Sequence, residues 1–340
     1  MLYDSLVRHC SSFHLYVFAF DDTTLDFLNA QKFPNLTVIS LKEFEDEALL
    51  NVKNTRSVAE YCWTCTPSII HYALQKYSLP QCTYIDSDLY FYSDPAILID
   101  EMADKSILIT EHRYTPEVDQ TLNYGKYCVQ FMSFKNDEFG MRALNWWRSS
   151  CIAWCYARAE EGKFGDQKYL DDWPQRFEGV HELQHLGGGV APWNIQQYSF
   201  SLIDGRLRGI QISTGKKFEI IFFHFHGLRF YENDIVSLTG RIYMISRAVR
   251  ELFYKPYIQQ LNKKGHFINS INNSFNPHGS SGKVSGGPIN LLLLLKFYWY
   301  GLKLSPWNIL GIGLRKRLER HHIYKMKMFK CIIPTLLTIL

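Results

Sequence analysis

Nowhere in the sequence do about 18 uncharged apolar residues follow one another, the length that a bilayer-spanning helix needs, so no transmembrane span is expected. Residues 1–10 have neither the basic start nor the apolar stretch of a secretory leader, and no signal peptide is expected there. No internal repeat is found. Cysteines number eight, and two close pairs stand out, Cys62 with Cys65 and Cys151 with Cys155. No second pair follows either at zinc-finger or zinc-ribbon distance, so both pairs read as buried thiols of a protein from a reducing compartment. Acidic residues are almost missing from the end of the chain: residues 289–340 hold nine Lys/Arg and one acid, Glu319. The residues before them carry 28 basic and 32 acidic side chains, so a net charge of +4 hides a mildly acidic body and a basic tail.

With 340 residues, 46% apolar and 21% charged, the chain suits one large α/β core with an appendage. Residues 13–20 (FHLYVFAF) are nearly continuous apolar and end in Asp21-Asp22, as a buried strand does where it meets a loop. Residues 36–40, 82–85, 106–110, 129–134 and 218–224 also read as strands. Helical spacing fills 58–77, where Pro67 should kink or restart the helix, and 137–161, which is rich in Trp. Strands alternating with helices predict a mainly parallel, doubly wound sheet covered on both faces. Domain boundaries follow from composition: a catalytic body over 1–271, a Gly/Ser/Asn/Pro-rich linker over 272–288, and a tail over 289–340. In that tail Leu, Ile, Phe and Trp separate the basic residues, which predicts attachment to an anionic membrane surface rather than nucleic acid. The alternative is a tail that packs back on the body with its lysines reaching out to water.

In sheets of this kind ligands bind beyond the carboxyl ends of strands. Asp86 and Asp88 stand there, in Y-I-D-S-D-L-Y-F (84–91), two carboxylates one residue apart that repel unless a cation lies between them. Mn²⁺ or Mg²⁺ suits such an oxygen-rich site and also binds a nucleotide diphosphate. Aspartates in a solvated turn are common, and Asp94-Pro95 marks a turn nearby. A second apolar strand, however, ends in H-F-H-G (224–227), where His224 offers a third ligand and Gly227 permits close backbone approach.

Together these segments resemble nucleotide-diphospho-sugar transferases of the GT-A superfamily, and are similar to the family-8-like bacterial glycosyltransferases. Residues 84–95 resemble the metal-binding D-x-D strand and its loop; H-F-H-G resembles the H-F-x-G element whose first histidine completes the metal site. Gly165-Asp166-Gln167 resembles the D-Q element that faces donor sugar and acceptor, and 188–194 (GGVAPWN) a loop placing Trp193 and Asn194 near the sugar. What the resemblance implies is a GT-A fold with metal on Asp86, Asp88 and His224. Asp166 and Gln167 are then implied at the chemistry and Trp193, Asn194 and His226 at the substrate; Ser87 and Gly227 are expected at the donor, with Arg229 as an imperfect substitute for the family's phosphate-binding lysine. From the residues alone, Asp166 reads equally as the N-cap of a helix begun by Gln167, and Trp193 as core packing beside Pro192.

The activity so implied is metal-dependent transfer of a sugar from a nucleotide-diphosphate donor to a glycan or lipid-linked acceptor in bacterial surface polysaccharide synthesis. The resemblance leans towards retention of the anomeric configuration, and the basic tail predicts a peripheral place on the cytoplasmic, inner face of the cell membrane. The chain departs from the family twice: it opens on what reads as a helix, residues 2–9, without the family's first strand, and Phe230 stands where family-8 enzymes carry a phosphate-binding lysine. A sheet lacking that strand would expose neighbouring strand edges. The other reading is a catalytically inactive transferase-like partner in a membrane-bound glycan assembly complex. A nucleotidyltransferase is weaker, because no Gly-rich, Lys-containing phosphate loop stands near the start.

Overall fold

The computed structural model describes residues 1–280, 282 and 322–329; the remainder of the predicted linker and tail lies outside them. The architecture is mixed α/β with several small sheets. After a first helix, Leu2–His9, β1 (Leu15–Ala19) and β2 (Leu36–Ser40) pair in parallel, with Leu15 opposite Leu36. The helix Asp22–Gln31 that joins them starts at Asp21, whose carboxylate accepts from Thr24 N. The central sheet contains β3 (Gln81–Ile85), β5 (Ile107–Glu111), β6 (Tyr127–Lys135) and β7 (Val180–Glu182), in the order β3-β6-β5-β7. Within it only β5 and β7 run parallel; β6 is antiparallel to both β3 and β5. The predicted parallel sheet therefore gives way to a mixed one. An apolar run reports that a strand is buried on both faces, as all of β6 but Lys135 is, and says nothing about strand direction.

Two helices cover one face of this sheet. Val58–Lys76 begins with a capping box between Ser57 and Glu60, and continues through Pro67 as a single helix rather than restarting there. Glu138–Ala153 is capped by Asp137 and brings fully buried Trp147 onto Phe134. Met132 and Phe134 of β6 point into this layer, and Phe131 points the other way, towards Leu89, Phe91 and Phe222. Those last residues belong to β4 (Leu89–Phe91) and β11 (Phe222–His224), an antiparallel pair. A third core gathers β8 (Tyr198–Ile203), β9 (Arg206–Gln211) and β10 (Lys217–Glu219) around Phe223, Phe225, Phe253 and Tyr254. The expected strand over 218–224 is thus two strands: β10 pairs with β9, the chain turns at Ile220 and Ile221, and β11 joins β4.

Eight residues of the predicted tail return to the body. The hairpin β12 (Arg229–Tyr231) and β13 (Ile235–Ser237) is extended by β14 (Ile323–Lys325), and Phe329 is buried in the third core. Arg250 Nη1 donates to Tyr324 Oη at 3.0 Å. Packing back on the body thus describes residues 322–329, while the rest of 289–340 lies outside the described residues. Among those described, no helix is long and apolar enough to cross a membrane.

One sheet edge has no partner strand among the described residues on either of two neighbours: β1 pairs only with β2, and β3 only with β6. Residues 15–18 of β1 and all five of β3 line a single cavity. Consecutive residues, rather than alternate ones, can line a cavity only where a strand presents its edge.

Candidate functional site

The same cavity, about 1220 Å³, runs from these edges to the D-x-D turn. Register builds the end of it where Asp86, Asp88 and His224 meet. At the end of β3, Asp86 N donates to Gln130 O at 3.0 Å, which carries the β3–β6 ladder one residue past Ile85. The chain then turns through Ser87 and Asp88 into β4. Because His224 of β11 lies opposite Leu89 and Phe225 N donates to Asp88 O at 3.0 Å, the imidazole comes down beside the two aspartates. His224 Nε2 is 2.9 Å from Asp88 Oδ1 and 3.8 Å from Asp86 Oδ2. One ligand atom from each of the three lies within 4.8 Å of the others, the sole such group of His, Cys, Asp or Glu among the described residues.

Electrostatics here is a contest between burial and pairing. Burial alone would discharge His224, but the Asp88 carboxylate and its hydrogen bond, helped by the Cys128 thiol and then by Asp86, raise the imidazole well above its ordinary pKa. Burial likewise works to raise Asp88, yet the His224 charge outweighs it and holds Asp88 low. In Asp86 burial wins, and its pKa is raised despite His224 and despite the hydrogen bond from Tyr84 Oη at 2.9 Å. The metal-free cluster therefore holds a proton on Nε2 between two carboxylates, where a cation fits by charge and by distance. Two hard oxygens and one nitrogen suit Mn²⁺ or Mg²⁺.

A loop laid along β11 supplies the wall. Gly187 O accepts from Ile221 N and Phe222 N, and Val190 O from His224 N at 2.9 Å, so the segment 187–194 passes beside the metal cluster. Trp193 is 3% exposed, with its ring edge-on to His224 at 5.3 Å and to His226 at 5.4 Å. It serves as packing and as cavity lining at once. Asn194 is elsewhere: its Oδ1 accepts from Ala191 N and its Nδ2 donates to His112 O and Gly189 O, so the amide is spent on holding the loop and does not line the cavity.

Asp166 lines the cavity and is 6% exposed. Asp166 does stand at the N-cap position of the turn Gln167–Leu170, but its side chain makes no capping hydrogen bond there. Burial, and then the charge of Asp86, push its pKa up to about 7, although a bond from Thr66 pulls the other way. Trp147 Nε1 donates to Asp166 O at 2.9 Å and fixes the backbone there. Gln167 also borders the cavity, with Nε2 donating to Tyr124 O at 2.8 Å. His226 and Ser87 border it too, whereas Gly227 forms the turn behind at φ 75° and exposed Arg229 lies on β12 outside the lining. Arg241, beside Gly240 and Tyr243, is the arginine that borders the cavity. Sequence reading missed it, as it missed His112 and Tyr114, whose rings stack at 4.5 Å on the same wall. Nothing in their local sequence marks them, since the segments 112–114 and 240–243 are brought to one cavity only by tertiary folding.

No family model matches the chain. Two proteins of Bacillus subtilis (strain 168) are similar to it. Uncharacterized protein YfnD is 32% identical over 278 residues, covering 80% of this chain and 86% of that protein. Uncharacterized protein YfnF is 34% identical over 270 residues, covering 76% and 88%. Among solved structures, mouse xyloside xylosyltransferase 1 in its apo form matches 66% of this chain and 89% of its own at 11% identity and a TM-score of 0.40, too distant a likeness to carry weight.

Proposed function

We propose that this chain, which belongs to the family of the Bacillus subtilis proteins YfnD and YfnF, is a metal-dependent glycosyltransferase that takes a sugar from a nucleotide-diphosphate donor. The observation that carries the proposal is the Asp86–Asp88–His224 cluster on the wall of a cavity large enough for a nucleotide sugar. A divalent ion bound there would offset the charge that builds on the departing diphosphate. Arg241, on the cavity wall, supplies a fixed positive charge for the same phosphates, the role that the sequence assigned to Arg229. Asp166 lies near enough to Asp86 to feel its charge, and faces the sugar and the incoming hydroxyl, with Gln167 beside it. Trp193 closes the apolar side. Retention of configuration, a glycan or lipid-linked acceptor and bacterial surface polysaccharide synthesis complete the proposal, on the strength of the sequence resemblance.

Thermal melting tests it. Mn²⁺ and uridine diphosphate together are expected to raise the melting temperature more than either alone, because a ligand bound only by the folded state at 100 times its Kd adds about 2.7 kcal/mol. Arg241→Ala should keep the response to Mn²⁺ and lose most of the further response to the nucleotide. A folded protein with no response to Mn²⁺ in the presence of uridine, guanosine, cytidine, adenosine or thymidine diphosphate would sink the proposal and favour the inactive partner.

Membrane attachment through 289–340 is a second part of the proposal, motivated by nine cations among apolar residues there. Flotation with vesicles containing anionic lipid should carry the whole chain and leave behind a chain ending at Pro288. Equal flotation of both excludes the tail as anchor. Since residues 322–329 also pack on the body, the shortened chain must first be shown to melt cooperatively.

A further inference from the structure

The metal cluster is held from behind by one residue to which no role has been given. Gln130, in the middle of β6, is completely buried. Its backbone O accepts from Asp86 N at 3.0 Å, and its side-chain Oε1 lies 2.8 Å from His224 Nδ1. One residue thus touches both ends of the cluster, the turn that carries the aspartates and the ring that faces them.

The direction of the side-chain bond follows from the neighbours. His224 turns Nε2 to two carboxylates, so the ring's other nitrogen is the one that faces Gln130. A ring that is to give its Nε2 lone pair to a cation must keep its proton on Nδ1, and Nδ1–H requires an acceptor. Oε1 is that acceptor. The amide Nε2 of Gln130 has no hydrogen-bond partner among the described residues, so the oxygen alone makes a side-chain bond. Space for the amide is kept by Gly189, where φ is 110° and an added Cβ would come 3.2 Å from Gln130 Nε2 and 3.1 Å from Thr110 Cγ2. A side chain at Gly189 would press on the amide as well as strain the backbone.

We propose that Gln130 is a positioning residue for the metal site: it holds His224 by Nδ1–H, so that Nε2 is presented to the cation, and it holds Asp86 by the main chain. The proposal rests on the metal-binding reading of the cluster. It touches neither substrate nor cation, and acts only through His224 and Asp86. Metal-ligating histidines commonly depend on such an outer partner, and its loss weakens metal binding by about 10- to 100-fold.

The test uses Gln130→Leu, which fills the space without an acceptor, and Gln130→Glu, which restores one. Mn²⁺ affinity is measured by titration of the free-ion paramagnetic resonance signal, and the ring is followed by nitrogen NMR of histidine-labelled protein without metal. Gln130→Leu is expected to weaken Mn²⁺ by about 10- to 100-fold. It should also lose the slowly exchanging Nδ1–H resonance of His224. Gln130→Glu should keep that resonance and bind Mn²⁺ within a few-fold of the natural protein, which a merely structural role would not require. Unchanged affinity and an unchanged resonance in Gln130→Leu overturn the proposal, as does a Gln130→Glu protein as weak as Gln130→Leu. If the natural protein itself binds no Mn²⁺, the metal reading fails separately, and the Nδ1–H resonance still decides whether Gln130 holds the ring. Should Gln130→Leu not fold, the Gln130→Glu result and a Gln130→Met variant carry the same comparison.

Discussion

Asp88→Ala protein is expected to fold, to melt within a few degrees of the natural protein, and to lose metal-dependent sugar transfer by about 1000-fold or more. The size follows from the several kcal/mol that a divalent ion contributes to leaving-group stabilisation, at about 1.4 kcal/mol for each factor of ten. Folding survives because the Asp88 side chain is 44% exposed and, among the described residues, its ion pair is with His224. The change is felt instead in charge. Without Asp88, burial is opposed by the Cys128 thiol and the more distant Asp86, and the His224 pKa drops from its raised value. Donor turnover, measured as release of nucleoside diphosphate at saturating Mn²⁺, gives the first readout, and a melt without metal gives the second. Full turnover in a variant that binds Mn²⁺ normally would remove Asp88 from the mechanism.

Asp166→Asn should move activity and stability in opposite directions. Its carboxyl is raised from an ordinary 3.8 to about 7 by burial first and by the charge of Asp86 second. Between those two values the unfolded chain has released the proton while the folded one keeps it, so stability falls as pH rises through the window, and the penalty is complete above pH 7. Its upper limit is about 4 kcal/mol on the linkage scale of 1.36 kcal/mol per pH unit. Metal-free Asp166→Asn is therefore expected to match the natural protein near pH 4 and to be more stable by a few kcal/mol at pH 8. Transfer activity should meanwhile fall by about 100-fold or more, the usual worth of a positioned proton-transfer group. Equal melting of the two proteins at both pH values would show that Asp166 titrates normally; undiminished activity would show that it has no part in the chemistry.

The Asp86–Asp88–His224 cluster was legible in the sequence because its members stand at the ends of apolar strands, and strand ends are where sheets place their ligands. The register that brings His224 opposite Leu89 was not legible, but the two strand ends sufficed. Asn194 misled because its neighbour Trp193 does reach the cavity, and a loop turns successive side chains in different directions. Arg241 and Gln130 were invisible for opposite reasons: one comes to the site on a loop distant in sequence, the other is hidden in a run of buried residues that reads as plain core. Sheet direction failed for β6 on the same ground, since its burial on both faces erases the alternation that would have marked it. The tail was read by its charge, and residues 322–329 obey their aromatic side chains instead, with Tyr324 and Phe329 set against the third core.

The open edges of β1 and β3 bear on how the molecule opens. The ladders of the central sheet run from β7 to β3, and among the described residues no strand pairs beyond β3; β1 and β2 lean on the rest through side chains such as Phe18 and Tyr16 against the helix Val58–Lys76. A layer joined only by side-chain contacts can part from its neighbour without breaking a ladder, at a free energy below that of global unfolding. Amide hydrogens along the free edge of β3 therefore exchange with solvent ahead of those shared between β3 and β6. The cavity is thus bounded by one wall joined to its neighbour through side chains and by another, carrying Asp86, that is tied to the central sheet through Gln130.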